Sequence, residues 1–213
     1  MTMYNQKGII LELNTYFFKN YKLPKKYVLV NKNGDLIQYL NRKNIDIQYN
    51  CLNLPGRIEF EDGNSIFYLY DANGTKLRTT HIIDGISTTT DYCGNVIYEN
   101  EVAKTLLTES GYVSLKDGKY HYYLKDHQGN NRIVVDEDGK VEERNDYYPF
   151  GGLMTLSSGS VQPYKYNGRE LDRKGGLDWC DYGARHYDAV LGRFITIDPL
   201  AENSILSIHT PTA

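Results

Sequence analysis

The sequence predicts a mainly β protein built from antiparallel β-hairpin meanders, with at most one or two short helices. Three observations predict it. Clusters of glycine with asparagine or aspartate punctuate the chain from about Asn31 onward, and the runs between them have strand composition. The third is a skewed aromatic complement of 20 tyrosines against 6 phenylalanines and 1 tryptophan. Tyrosine suits half-buried strands, because its ring packs while its hydroxyl stays wet.

The turn clusters come first. NKNGD at Asn31 to Asp35, EDGN at Glu61 to Asn64, DANG at Asp71 to Gly74, DHQGN at Asp126 to Asn130 and DEDG at Asp136 to Gly139 each predict a hairpin. Glycine supplies the positive φ of a tight turn, and Asp or Asn hydrogen-bonds back to the local backbone. The runs between them are SIFYLY at Ser65 to Tyr70, KYHYYLK at Lys119 to Lys125, NRIVVD at Asn131 to Asp136 and KVEERNDYY at Lys140 to Tyr148. They are short and rich in β-branched and aromatic residues, so Lys119 to Tyr148 reads as a three-stranded meander.

Helical signals are few. ENEVAKTLLTES at Glu99 to Ser110 has the composition of two to three helical turns, though no strong cap, and the leucine-rich start from Gly8 to Phe18 fits neither period cleanly. A tyrosine-turn-glycine unit recurs at Tyr70 to Gly74, Asp91 to Asn95 and Asp181 to Asp188, and more loosely at Tyr49 to Arg57. Gly56 and Gly74 are 18 positions apart and Gly74 and Gly94 are 20 apart, a period that suits two short strands and two turns. Repeats of this size stack, each covering a face its neighbour cannot bury alone.

Charge and cysteine narrow the classes. With 24 basic and 27 acidic residues the net charge is -3, which offers no broad attraction to nucleic acid or to an anionic membrane. Cys51, Cys93 and Cys180 are far apart and form no CxxC pair, so neither a disulfide framework nor a zinc site follows. The first residues lack the pattern of a secretory signal, and no run approaches the roughly 18 apolar residues of a membrane span.

The chain carries a family resemblance from about residue 31 to Asn203, most specific from Tyr147 to Leu200. YDANG, KDHQGNNRIVVDEDGKVEERNDYYPFGG, YKYNGRELD, GLDWCDYGARHYD and LGRFITIDPL occur in that order between Tyr70 and Leu200. This ordered set resembles the YD repeats and repeat-associated core segment of bacterial Rhs proteins. The same YD-repeat class includes the shell components of bacterial toxin complexes and the animal teneurins. The resemblance implies a β-ribbon that spirals into a hollow shell, closed or plugged by the core segment, with a variable C-terminal polypeptide, often a toxin, as its cargo.

On that basis the chain divides into an N-terminal segment at 1–30 without defined features, a YD-repeat β region at 31–146, a core segment at 147–203 and a divergent tail at 204–213. It is shorter than a complete shell of the family and stops ten residues after Asn203. The expectation is therefore a partial spiral, a few turns or the closing end, with no room for a toxin.

Candidate sites are weighed against plainer roles. The resemblance marks Asp198-Pro199 as the remnant of an autoproteolytic site, in which a carboxyl group activates or attacks the adjacent peptide carbonyl. A turn ending the last strand is the favoured reading. His81, His121, His127, His186 and His209 show no metal-ligand spacing; His121 and His127 flank one turn and could approach each other, but a pair lacks a third ligand. YPFGG and RKGGLD are turns, since they lack the GK[ST] ending of a phosphate cradle. Asn73-Gly74-Thr75 is a sequon lying in a turn, expected to be unmodified in a bacterial protein. Tyr120, Tyr122, Tyr123, Tyr147 and Tyr148 read as cross-strand packing, with an aromatic platform for sugars or bases as the alternative. Trp179 reads as a core anchor.

The function expected from these readings is non-enzymatic: a structural fragment of an Rhs-type protein, acting as shell or scaffold for a polypeptide cargo or as a cell-surface interaction module. No catalytic residue, cofactor or metal is assigned. One alternative is an autoproteolytic processing module with Asp198 as its key carboxylate, and the other is a carbohydrate-binding β module. The expected partners are a polypeptide cargo or the remainder of a larger shell, with carbohydrate as a further class, and open strand edges predict self-association. The family suggests secretion or the cell surface, although the chain shows no signal peptide.

Overall fold

The computed structural model describes residues 2–4, 9–13, 26–39, 45–154 and 161–201. Fifteen strands form one antiparallel sheet whose spatial order follows the sequence, and its first and last strands do not pair. They are β1 (Thr2–Tyr4), β2 (Ile9–Leu13), β3 (Lys26–Val30), β4 (Leu36–Tyr39), β5 (Ile45–Tyr49), β6 (Pro55–Glu59), β7 (Ser65–Tyr70) and β8 (Lys76–Ile83). The rest are β9 (Ile86–Cys93), β10 (Val96–Glu99), β11 (Val102–Thr108), β12 (Gly111–Ser114), β13 (Tyr120–Lys125), β14 (Asn131–Asp136) and β15 (Val141–Arg144). A second sheet of four strands follows: β16 (Glu170–Asp172), β17 (Trp179–Asp181), β18 (His186–Asp188) and β19 (Arg193–Phe194).

One local device folds much of the ribbon back on itself. Asp71 Oδ1 accepts hydrogen bonds from the backbone N–H of Asn73 and of Thr75, both at 2.8 Å. The same acceptance two and four residues ahead is made by Asn31, Asn50, Asp126 and Asp136. The third residue after each of these is Gly34, Asn53, Gly74, Gly129 or Gly139, and every one has a positive φ. The strand register shifts beside each turn, as at Leu69/Tyr70 and Val134/Val135, which is the bulged form of a short hairpin.

The meander from Lys119 to Tyr148 forms as β13, β14 and β15, but the last strand ends at Arg144. Tyr147 instead makes an isolated bridge to Leu153. The stretch Glu99 to Ser110 is not helical. Asn100 (φ 49°) and Glu101 (φ 67°) make a two-residue turn, and Val102 to Thr108 is strand β11 between β10 and β12. Pairing on both edges overrides the helix propensity of its alanine, lysine and leucines. The helical content among the described residues is two short 3-10 turns, Tyr166–Gly168 and Lys174–Gly176, and the single helical residue Ala201. The repeat period also needs correction: Gly56 lies inside β6, so the turn equivalent to Gly74 is at Asn53. Gly94 belongs to a tighter turn, in which Cys93 pairs directly with Val96.

The core lies where the ribbon meets the second sheet. Val28, Val30, Leu36, Ile47, Ile58, Phe60, Ile66 and Tyr68 from β3 to β7 and the adjoining turn pack with Leu177, Trp179, Leu191 and Ile195. Trp179 is 1% exposed and its Nε1 donates to Asp188 Oδ2 at 3.2 Å, so it anchors the core. Backbone contacts extend the join: Leu36 N–H donates to Ile195 O at 2.8 Å and Ile197 N–H to Asp35 Oδ1 at 3.2 Å.

Candidate functional site

The charged chemistry of the fold gathers on the seam between ribbon and second sheet. Strands β7 to β9 bring Tyr68, Lys76, His81 and Tyr92 to this seam, and β16 and β17 bring Glu170, Asp172 and Asp181. Lys76 Nζ lies 2.6 Å from Glu170 Oε2 and 2.6 Å from Asp181 Oδ2. The Tyr92 hydroxyl donates to Glu170 Oε1 at 2.7 Å, and its ring lies under the ammonium at 4.5 Å. Burial works against the charge on Lys76, but Glu170, Tyr92 and Asp181 together outweigh it and hold the amine well above its ordinary pKa.

Deeper in the seam, Asp172 Oδ2 lies 2.8 Å from His81 Nε2 and accepts the Tyr68 hydroxyl at 3.1 Å. Burial would raise the Asp172 carboxyl, yet the His81 contact and the Lys174 N–H hold it below the usual aspartate value. His186 is buried between Tyr68 and Trp179, with ring centroids at 5.5 and 6.2 Å. Burial lowers its pKa, so it is neutral in the fold.

An open cleft of about 690 Å³ lies at the edge of this seam. Lys76, Tyr92, Glu170 and Asp181 line it, together with the turn residues Asn73, Gly74 and Gly94 and with Pro199. Asp198 faces Arg185, Oδ2 to Nη2 at 3.0 Å, while its Oδ1 accepts the Leu200 N–H at 2.9 Å and its carbonyl accepts the Ala201 N–H at 2.9 Å. These contacts build a turn after the last strand.

The four described histidines do not form one cluster, although His81 and His186 both lie in the seam beside Tyr68. His121 faces Glu142 at 2.6 Å and stacks on Tyr112 at 4.4 Å, His127 is exposed in its turn, and His209 lies outside the described residues. Among the described residues no group of three or more His, Cys, Asp or Glu is placed to hold a metal. Cys51 and Cys93 are exposed, while burial lifts the Cys180 thiol to about 12. The tyrosine set is split between faces: Tyr120 and Tyr122 are exposed with near-parallel rings 6.5 Å apart, whereas Tyr123 and Tyr147 donate to Gln162 and to Asn131 O. The seam charges themselves carry no motif in the sequence. Their one trace is the acidic spacing in RELD and DWCD.

The teneurin YD-shell profile matches residues 2–213. The chain belongs to the teneurin YD-shell family. This YD-shell chain is 27% identical over 208 residues to salivary gland surface protein 1 of Aedes aegypti, covering 85% of the chain and 6% of that protein. It is 23% identical over 194 residues to toxin subunit YenC1 of Yersinia entomophaga, covering 71% of the chain and 20% of the subunit. Among solved structures, TcdB2-TccC3-TEV is similar with a TM-score of 0.66 at 15% identity, over 78% of the chain and 9% of its counterpart. The Photorhabdus luminescens Tc holotoxin pore is similar with a TM-score of 0.65 at 16% identity, over 79% of the chain and 9% of its counterpart. The YD-shell chain thus spans a minor part of the length of each relative. The open antiparallel ribbon is the fold it shares with the toxin-complex shells.

Proposed function

We propose that this chain forms a stretch of shell wall together with its closing segment, and that the inner side of the wall holds a polypeptide cargo. In this reading residues 31–146 are wall and residues 147–203 are the closing segment. The family supports a structural shell role, and the observation that carries the division is the buried seam. Lys76 of the wall is bound by two carboxylates of the closing segment, so segment and wall are built to stay together. The toxin-complex relatives support polypeptide cargo as the enclosed partner.

A protease-sensitive reporter peptide joined after Ala213 tests this. Enclosure predicts that a protease degrades the reporter several-fold more slowly than the same peptide free in solution. Lys76→Met, which loosens the seam, should restore the free rate. Digestion at the free rate beside the intact wild-type wall would overturn the cargo reading.

A further inference from the structure

Strand β15 and the residues Asn145 and Lys165 bring together three buried polar side chains that the shell reading does not use. Glu143 and Asn145 are 0% exposed and Lys165 is 2% exposed. Lys165 Nζ ion-pairs with Glu143 Oε1. Asn145 Nδ2 donates to that same oxygen at 2.6 Å and to Asn131 O at 3.1 Å. Val161 N–H and Gln162 Nε2 fill out the donors around Glu143 at 2.9 and 3.2 Å. One carboxyl oxygen therefore gathers the Lys165 amine and the side-chain amides of Asn145 and Gln162, and of the two amides that of Asn145 lies nearer to it. Asn145 Oδ1 is buried and has no hydrogen-bond partner among the described residues.

We propose that Lys165 and Asn145 join in an intramolecular isopeptide bond, with Glu143 moving the protons. Glu143 takes a proton from the Lys165 ammonium, leaving a neutral amine beside a carboxylic acid. The Nζ lone pair attacks Asn145 Cγ, forming the new C–N bond, while the acid supplies a proton toward the amide. The bond from Cγ to Nδ2 breaks, its nitrogen leaves as ammonia with the proton that the attacking nitrogen loses, and the carbonyl oxygen returns the other proton to Glu143, which ends as a neutral carboxylic acid. The products are a secondary amide and one ammonia, with no oxidant or co-reactant.

Three features of the site favour the step. Burial lowers the pKa of the Lys165 amine against the opposing pull of Glu143, which enlarges the neutral, nucleophilic fraction. Attack is intramolecular between groups held at one oxygen, so little orientation entropy remains to be lost. The product also replaces a buried ion pair, costly to keep from water, with neutral groups. The bond would tie the end of the wall to the closing segment covalently.

Mass spectrometry of the denatured wild-type chain decides the matter. Linkage predicts an intact mass lower than the sequence mass by one ammonia, and a branched proteolytic peptide joining the segments around Asn145 and Lys165. Loss of ammonia at an Asn-Gly succinimide is distinguished because hydroxylamine cleaves the succinimide and leaves the branched peptide unchanged. Recovery of both peptides in linear form from folded wild-type protein overturns the proposal. In Glu143→Gln, with circular dichroism matching the wild type, both peptides should be linear; linkage at the wild-type level would overturn the role of the carboxyl group. Lys165→Arg supplies the unlinked mass standard.

Discussion

Lys76 of β8 and Glu170 of β16 meet at 2.6 Å across a separation of 94 positions in the chain, and Asp181 adds a second carboxylate to the same ammonium. One residue of the ribbon thereby neutralises carboxylates on two strands of the second sheet. The Lys76 side chain is 12% exposed, so removal of its ammonium leaves two carboxylates with little water to replace it. Lys76→Met should cost about 3 to 5 kcal/mol. Urea unfolding monitored by circular dichroism checks this, and a change below 1 kcal/mol would mean that solvent reaches the seam.

His186 makes stability fall with acid. Its pKa is lowered in the fold by burial first, with Lys76 adding to the effect, so the folded state keeps the ring neutral while the unfolded chain takes up a proton. The contribution is fully present above the unfolded value of about 6.5 and is lost as the pH falls toward the folded value. Unfolding free energy should therefore decline between pH 7 and 5. His186→Phe, if it folds, should flatten that slope, and an unchanged slope would place the titration elsewhere.

The open sheet predicts association through its end. Strand β15 has β14 on one side and no strand on the other among the described residues, and Val141 on it is 51% exposed. An unpaired edge carrying an exposed apolar side chain is a template for another chain. The protein should elute from size exclusion at a position that shifts with concentration. Val141→Lys should reduce the shift, since a charge on an edge strand opposes docking.

What was legible in the sequence is what short-range chemistry decides. The turns were readable because Asp71, Asp126 and Asp136 bind the backbone two and four residues ahead and a glycine follows at the third position. SIFYLY was readable as β7 because its β-branched and aromatic residues sit between two such turns. Strand β11 was misread because Ala103, Lys104, Leu106 and Leu107 suit a helix, and only pairing with β10 and β12 decides otherwise. The pairing across the seam was not readable. Lys76 and His81 find partners 94 and 91 positions away, and no local pattern records which strand will cover them.

The turn rule separates glycines that look alike in sequence. Gly139 has φ +80° and open space where a Cβ would stand, whereas Gly56 has an ordinary strand conformation and its nearest Cβ contact would be an unstrained 3.7 Å to Gln48 O. Gly139→Ala meets no steric obstacle, so its whole cost is the left-handed backbone, about 1 to 2 kcal/mol. Gly139→Asn should cost less, because asparagine tolerates that region, as Asn53 does at φ 57° in the equivalent turn. Gly56→Ala should be near neutral despite being drawn into the apparent repeat. Chemical denaturation of the three variants checks the ordering. Equal losses at positions 139 and 56 would mean that the backbone conformation at the third turn residue is not what requires glycine.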